Sequence, residues 1–473
     1  MIKFLKDNWL LVLILVTASF LRLYKIGDYM EFLGDQGRDV VIVRDFLKHG
    51  NLFFIGPQTS IGNMYLGPFY YYLIVAPSLL LSFYNPLGPA IFVALIGTFT
   101  VYLIYFVGKK WFGVKTAIIA AYLYAISPVV IKYSSFSWNP NVMPFFALLF
   151  VYLISEKRYL FSSLAFIMCL NSHYLSLGLL PLAFIIWLKN NPQKYLKETL
   201  LAVFIFLLSL VPQILFDIKH QGQNIKALST FFSERETTIN LKVYKSFPVI
   251  PKLYNQINTR LLAGKDEPFG LIVSVFFFLG LIYLTLRYHD EKYFYCLWWY
   301  FIGLIALGLY KQHIYDHYFG FIFPAVFLLA ALFISRFRKL LVFLILILLT
   351  IFSLIENPLR WPAPKQLATT IQIDSSIITN SDQKPFNFAL LSKMNYDPPY
   401  RYFFYQWNSP IVYLNDQVTD QLFVVCEPFQ IDCNPINNPE WNVAAFGWAK
   451  IESQWEINGI KIYKLVHNPL GKI

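Results

Sequence analysis

Twelve apolar runs fill most of residues 9–355, and no soluble fold can bury that many. They fall near residues 9–26, 67–84, 86–108, 115–131, 141–154, 159–171, 174–188, 196–217, 268–287, 293–310, 317–335 and 339–355. Several approach the ~20 apolar residues that one bilayer crossing takes. Only 14% of the chain is charged and 57% is hydrophobic, against roughly a quarter charged in soluble domains. These features define an all-α polytopic integral membrane protein, because a helix satisfies its own backbone in lipid.

The formal net charge is +12, which in a soluble protein would suggest nucleic acid. Here the cations sit mainly in short loops between apolar runs: Lys109, Lys110 and Lys115; Lys157 and Arg158; Lys189, Lys194 and Lys197; Arg287 and Lys292; Arg336, Arg338 and Lys339. Such loops belong on the cytoplasmic side, facing anionic membrane lipids, so no nucleic-acid partner is expected. Lys3 and Lys6 precede the first run without a small-residue cleavage site. The first helix therefore reads as retained, with a cytoplasmic N-terminus. Charge counting leaves one run too many between residues 67 and 108. The run 67–84, Gly-Pro-Phe followed by three tyrosines, suits an interfacial or re-entrant helix. About 11 crossings follow, with an external C-terminus in the cytoplasmic (plasma) membrane.

On this reading, residues 1–355 form the transmembrane domain. Residues 27–85 are its first external loop, with interfacial helices, and residues 219–267 are a second, longer external loop. From Glu356 the composition changes, and Phe386 to Leu391, Ile411 to Leu414, Leu422 to Val425 and Ile460 to Leu465 read as strands. Residues 356–473 are expected to be a small external α/β domain. Cys426 and Cys433 within it are either a disulfide or a free pair; Cys169 and Cys296 lie in apolar runs and read as small hydrophobes.

The first external loop carries the most chemistry: Glu31-Phe-Leu-Gly-Asp35-Gln36-Gly37-Arg38-Asp39. Gly34 and Gly37 place the start of the next helix near Asp35, which reads either as an N-cap or as a carboxylate presented at the membrane surface as a general base. His313, Asp316 and His317, beside Tyr315 and Tyr318, cluster ionisable groups at a helix mouth, costly near hydrocarbon and so a candidate site. Lys311, Arg22 and the basic residues of 219–267 are further cationic candidates, with snorkelling to headgroups the alternative for Lys311 and Arg22. Trp138, Asn139 and Asn141 lie in an external loop where Asn-Pro also signals a turn. His173, between Asn171-Ser172 and Tyr174, is a site candidate or a structural helix break.

Several of these stretches resemble the opening of the GT-C superfamily of membrane glycosyltransferases. They are Arg22-Leu-Tyr24, Gly-Asp35-Gln36-Gly37-Arg38-Asp39, Gly50-Asn51 and Gly67-Pro68-Phe-Tyr-Tyr. The likeness is to the group holding protein O-mannosyltransferases and lipid A aminoarabinose transferases. Asp35 and Arg38 match that group's first acid and arginine; Gln36 replaces its second acid, and single Pro68 its proline pair. Tyr315-Asp316-His317-Tyr318 through Pro324 resembles the group's Arg-Tyr helix start, with His317 where arginine is usual.

The resemblance implies an inverting glycosyltransferase that moves a sugar from a polyprenyl-phosphate donor to a hydroxyl acceptor at the outer face. Asp35 would be the base. Arg38, Lys311, His313, His317 and Tyr318 would bind the donor phosphate, and Asp39, Trp138, Asn139, Asn141, His173 and Asp316 would contact acceptor or sugar. No metal-ligand spacing occurs, so no cofactor is expected, and the sequence neither requires nor excludes a divalent ion. A lipid-linked-sugar transporter or flippase, or an inactive relative that binds such sugars, are the alternatives.

Overall fold

The computed structural model describes residues 8–234, 237–240, 242–427 and 433–468; Lys3 and Lys6 lie outside them. The chain divides into two compact units. One comprises residues 1–26 and 51–362, the other 27–50 and 363–473.

In the first unit each of the twelve apolar runs is helical, and among the described residues five helices are long and apolar enough to span a membrane: Leu87–Phe112, Leu196–Lys219, Glu267–Arg287, Glu291–Leu309 and Asp316–Ile334. The hub is Phe323–Ile334, every residue of which is buried. It packs on Val114–Ile126, Met143–Ser155, Glu267–Arg287 and Glu291–Leu309. A helix that is apolar all round is stable only when surrounded in this way. Leu196–Lys219 is equally apolar but almost wholly exposed, with Leu200, Phe204, Leu207 and Leu208 outward, as a lipid-facing helix must be. The run at 67–84 becomes Tyr71–Leu81, five residues of π-helix followed by six of α-helix. At ~1.5 Å per residue it falls far short of the ~30 Å hydrocarbon core.

Arg22 does not snorkel but is turned into the protein. It is 1% exposed, and its Nη1 donates to the carbonyls of Ala18 (3.1 Å) and Ala125 (3.2 Å) and its Nη2 to that of Tyr124 (3.5 Å). The guanidinium thus satisfies carbonyls left over where Val114–Ile126 ends before Pro128.

The second unit is built on a four-stranded mixed sheet in the order β1-β2-β4-β3: β1 Asn387–Leu391, β2 Gln421–Cys426, β3 Ala449–Ile457 and β4 Ile460–His467. β1 and β2 are parallel, buried throughout and covered on both faces, by Ile373, Tyr400 and Phe404 on one and Val443 and Phe446 on the other. β3 and β4 form a hairpin turning at Asn458-Gly459, both with positive φ, as a type I′ turn requires. Ile411–Leu414 is not a strand. It makes one isolated bridge, Phe386 to Ile411. β3 carries exposed Glu452, Gln454 and Glu456 on an edge, which hid it from a hydrophobic reading. Cys426 and Cys433 are disulfide-bonded.

Residues 27–50 do not group with the membrane helices as the 1–355 boundary expected. Phe32 N donates to Gln366 Oε1 (2.8 Å). Arg44 bonds Gln406 Oε1 (3.0 Å) and the Tyr405 carbonyl (2.6 Å). The helix Gly34–His49 lies along Pro398–Gln406.

Candidate functional site

Asp35 is not the cap of its helix. The N-cap is Leu33, whose N–H donates to the Gln36 side chain (3.0 Å), and the helix begins at Gly34. Asp35 therefore lies in the first turn, where the helix dipole favours an anion. Its Oδ1 takes Arg38 Nη1 at 2.9 Å and the Tyr396 hydroxyl. Oδ2 takes no partner among the described residues, and the side chain is 35% exposed. Arg38 also grips Asp39 Oδ1, through Nε (3.0 Å) and Nη2 (2.7 Å). Asp39 is buried, so it faces Arg38 and not solvent.

Tyr396 was not legible in the sequence, since 361 residues separate it from Asp35. Its loop is fixed by Glu427, which accepts from Ser392 Oγ (2.9 Å), Asn395 Nδ2 (2.7 Å) and Tyr400 OH (2.8 Å). Asn395 Oδ1 then accepts from Gly34 N at 2.8 Å. Burial, and behind it the bond to Asp35, raises the Tyr396 phenol above its ordinary value, so it stays a donor at neutral pH.

In the membrane unit four polar stretches converge. Phe69 N donates to Asn171 Oδ1 (3.1 Å), Tyr70 OH meets Ser137 Oγ (2.9 Å), and Asn139 Nδ2 donates to Ser172 O (2.7 Å). His317 stands 4.4 Å from Trp138 and 4.6 Å from Tyr318 between ring centroids, and His173 4.8 Å from Tyr318. Asn139 and Asn141 are buried, and their amide donors are taken by Ser172 O and by Phe136 O (2.9 Å), a placement that shapes the loop. His173 ends one helix and accepts from Leu175 N (3.1 Å) to cap the next, again a backbone role. Lys311 and His313 are exposed; the His313 ring lies 4.4 Å from Tyr315.

Asp316 has a cationic setting that the sequence indicated only as basic residues somewhere in 219–267. Arg260 Nε lies 3.5 Å from Asp316 Oδ1. Lys265 follows on the turn closing Ile250–Leu262, its N–H bonded to Thr259 O (3.0 Å). Burial lowers the Lys265 ammonium below its ordinary value; Asp316 opposes this, while Lys132 and Arg260 add to it. Glu356 also opposes the lowering, so three cations and two carboxylates share one polar mouth. Arg260 could have been singled out from the periodicity of Ile250–Leu262, which buries Leu253, Ile257 and Leu261. Among the described residues no group of three or more His, Cys, Asp or Glu is placed to hold a metal ion.

No protein-family model and no curated protein sequence matches the chain. Its fold is similar to that of ArnT from Cupriavidus metallidurans bound to undecaprenyl phosphate, with a TM-score of 0.63 and 11% identity over 97% of this chain and 98% of that one. The apo state of the same protein gives the same values. The oligosaccharyltransferase of Archaeoglobus fulgidus, tethered to an acceptor peptide containing the NVT sequon, matches at a TM-score of 0.50 and 13% identity, over 85% of this chain and 63% of that one. The chain therefore shares the fold of ArnT over nearly its whole length. It is a multi-pass integral membrane protein, mostly helical, with a small C-terminal mixed-sheet domain.

Proposed function

We propose that the protein is an inverting glycosyltransferase that moves a sugar from a polyprenyl-phosphate donor to a hydroxyl acceptor at the outer membrane face. The observation that carries this is Asp35: both its partners converge on Oδ1, leaving Oδ2 open on a part-exposed side chain. A base needs that arrangement, fixed on one oxygen and available on the other. ArnT binds undecaprenyl phosphate on the same fold, which supports a lipid-phosphate donor here.

Asp35 Oδ2 takes the acceptor proton as the hydroxyl oxygen bonds to the anomeric carbon, and the sugar–phosphate bond breaks on the opposite side. Configuration inverts, and the lipid phosphate leaves with the bonding pair. Arg38 and Tyr396 hold the base in position. In the membrane unit, taken by itself, Arg260, Lys265 and Lys132 form a cationic cluster of the kind that holds a lipid phosphate. Tyr318, His317 and Trp138 offer aromatic surface to a sugar. The N-terminus lies in the cytoplasm and the C-terminal domain outside, with Tyr71–Leu81 at the outer interface. Cysteine labelling from outside at position 109 would reverse that topology.

The test is transfer from radiolabelled polyprenyl-phosphate sugars to membrane acceptors by the purified protein. Asp35→Asn should lose ~10²–10⁴-fold in rate, and Arg260→Met should lower transfer while leaving the fold intact. Equal labelling by wild type and Asp35→Asn would remove Asp35 from the chemistry. Donor translocation without transfer would make the protein a flippase.

A further inference from the structure

We infer that the C-terminal unit carries a second site, a pocket for one neutral monosaccharide unit, formed by Arg401, Tyr405, Tyr413 and Trp441. A cavity of about 290 Å³ opens here, at the lower end of the ~300–1,000 Å³ range of small-molecule sites. That volume suits a single sugar ring rather than a chain of them.

The local sequence explains how the pocket forms. Arg401 and Tyr405 are one turn apart on Pro398–Gln406 and share a face, with Asp397 just before the helix paired to Arg401 Nε. Trp441 opens a short helix whose first N–H groups are capped by Glu440, which holds the indole at the rim, 52% exposed. The Tyr405 and Tyr413 hydroxyls bond to each other.

Two observations point to a ligand. Arg401 is only 8% exposed, stacked 4.3 Å from the Tyr413 centroid, yet its Nη1 has no hydrogen-bond partner among the described residues. Buried donors are seldom left unmade without a purpose. Trp441 and Tyr413 are both about half exposed, at 52% and 47%, around a concave space also lined by a carboxylate and a carboxamide, Asp397 and Asn442. Aromatic faces receive the C–H face of a sugar ring, and planar polar groups fix its hydroxyls.

Charge selects among sugars. Arg401 is matched by Asp397, and Arg38, which also lines the cavity, by Asp35 and Asp39. An anionic sugar meets no surplus cation, so a neutral one fits. This inference stands apart from the transfer reaction and survives if transfer is not observed.

The full chain in phospholipid nanodiscs, free of sugar-headed detergents, is mixed with methyl α-mannopyranoside, methyl β-glucopyranoside, methyl β-galactopyranoside and methyl β-glucuronide. Saturation-transfer NMR should show contact with at least one neutral glycoside, reduced at least ~5-fold by Trp441→Ala, a substitution at a half-exposed position. Asp35→Asn should leave the signal unchanged. Absence of transfer to every neutral glycoside would overturn the inference, as would equal signals with and without Trp441. Preference for the glucuronide, or loss of the signal in Asp35→Asn, would overturn it too.

Discussion

Placing alanine at Gly37 sets two effects of known size against each other. Gly37 is inside the helix Gly34–His49, so alanine improves helix propensity by ~1 kcal/mol. A Cβ there would lie 2.3 Å from Pro399 N and 2.5 Å from Pro399 Cδ. The first distance is about 1.1 Å inside ordinary contact, which begins near 3.4 Å. The obstacle is backbone next to two prolines and cannot swing aside. Overpacking of this kind costs ~1–3 kcal/mol, so the net effect is a loss of up to ~2 kcal/mol. Hydrogen exchange of the helix amides in nanodiscs should quicken by up to ~30-fold. Gly34→Ala differs in kind, because its Cβ meets the Tyr396 ring at 2.3 Å. It should cost less stability and more transfer activity, since that ring carries the Asp35 partner. Gly50→Ala touches nothing within 4 Å, but with φ at +75° it should cost ~1–2 kcal/mol through the backbone alone. A Gly37→Ala protein exchanging more slowly than wild type, as the propensity gain alone would give, would refute the packing of this helix on residues 396–399.

Asp374 is fully buried, with neither oxygen partnered among the described residues, and burial raises its carboxyl well above the ordinary value of 3.8. The folded unit holds it protonated while the unfolded chain ionises it, so the stability it contributes is present below that value and lost as pH rises toward the raised one. Asp374→Asn should therefore flatten the decline of the C-terminal unit's stability from acid to neutral pH; an unchanged slope in thermal melts would contradict this. Arg22→Met strands carbonyls at the end of Val114–Ile126 and should cost ~1–3 kcal/mol, read as a lower melting temperature in nanodiscs. Replacing Cys426 and Cys433 together by serine opens a bridge with a sequence separation of 7. It should destabilise the C-terminal unit by about 2.5 kcal/mol, measured by denaturant titration against the oxidised protein.

Elements that answer to composition were legible, and those that answer to distant contacts were not. Every apolar run became a helix, which satisfies its own backbone in lipid. Gly50 closes its helix in the left-handed conformation. Ile411–Leu414 looked like a strand, but the parallel partner of β1 is β2, whose fully buried register leaves that run a single bridge. At the candidate site the acid was readable, yet its surroundings were not. Tyr396 reaches it from the far end of the chain, on a loop held by Glu427, and Arg260 reaches Asp316 across 56 positions. No local pattern encodes such pairs.

Gln36 shows how structure can change the meaning of a departure from a family pattern. Where the resembled group carries a second acid, this chain has an amide, which by sequence alone raises the reading of an inactive relative. In the fold Gln36 is 5% exposed, and its Oε1 accepts the Leu33 N–H, the reciprocal half of a capping box. A glutamate could accept the same bond, but it would add a third buried or part-buried negative charge beside Asp35 and Asp39, which already share Arg38. The amide keeps the cap and omits the charge. It leaves Asp35 Oδ2, the oxygen on which the proposed chemistry depends, as open as before. The loss of the second acid therefore weighs on how the helix start is built and not on whether a base is present.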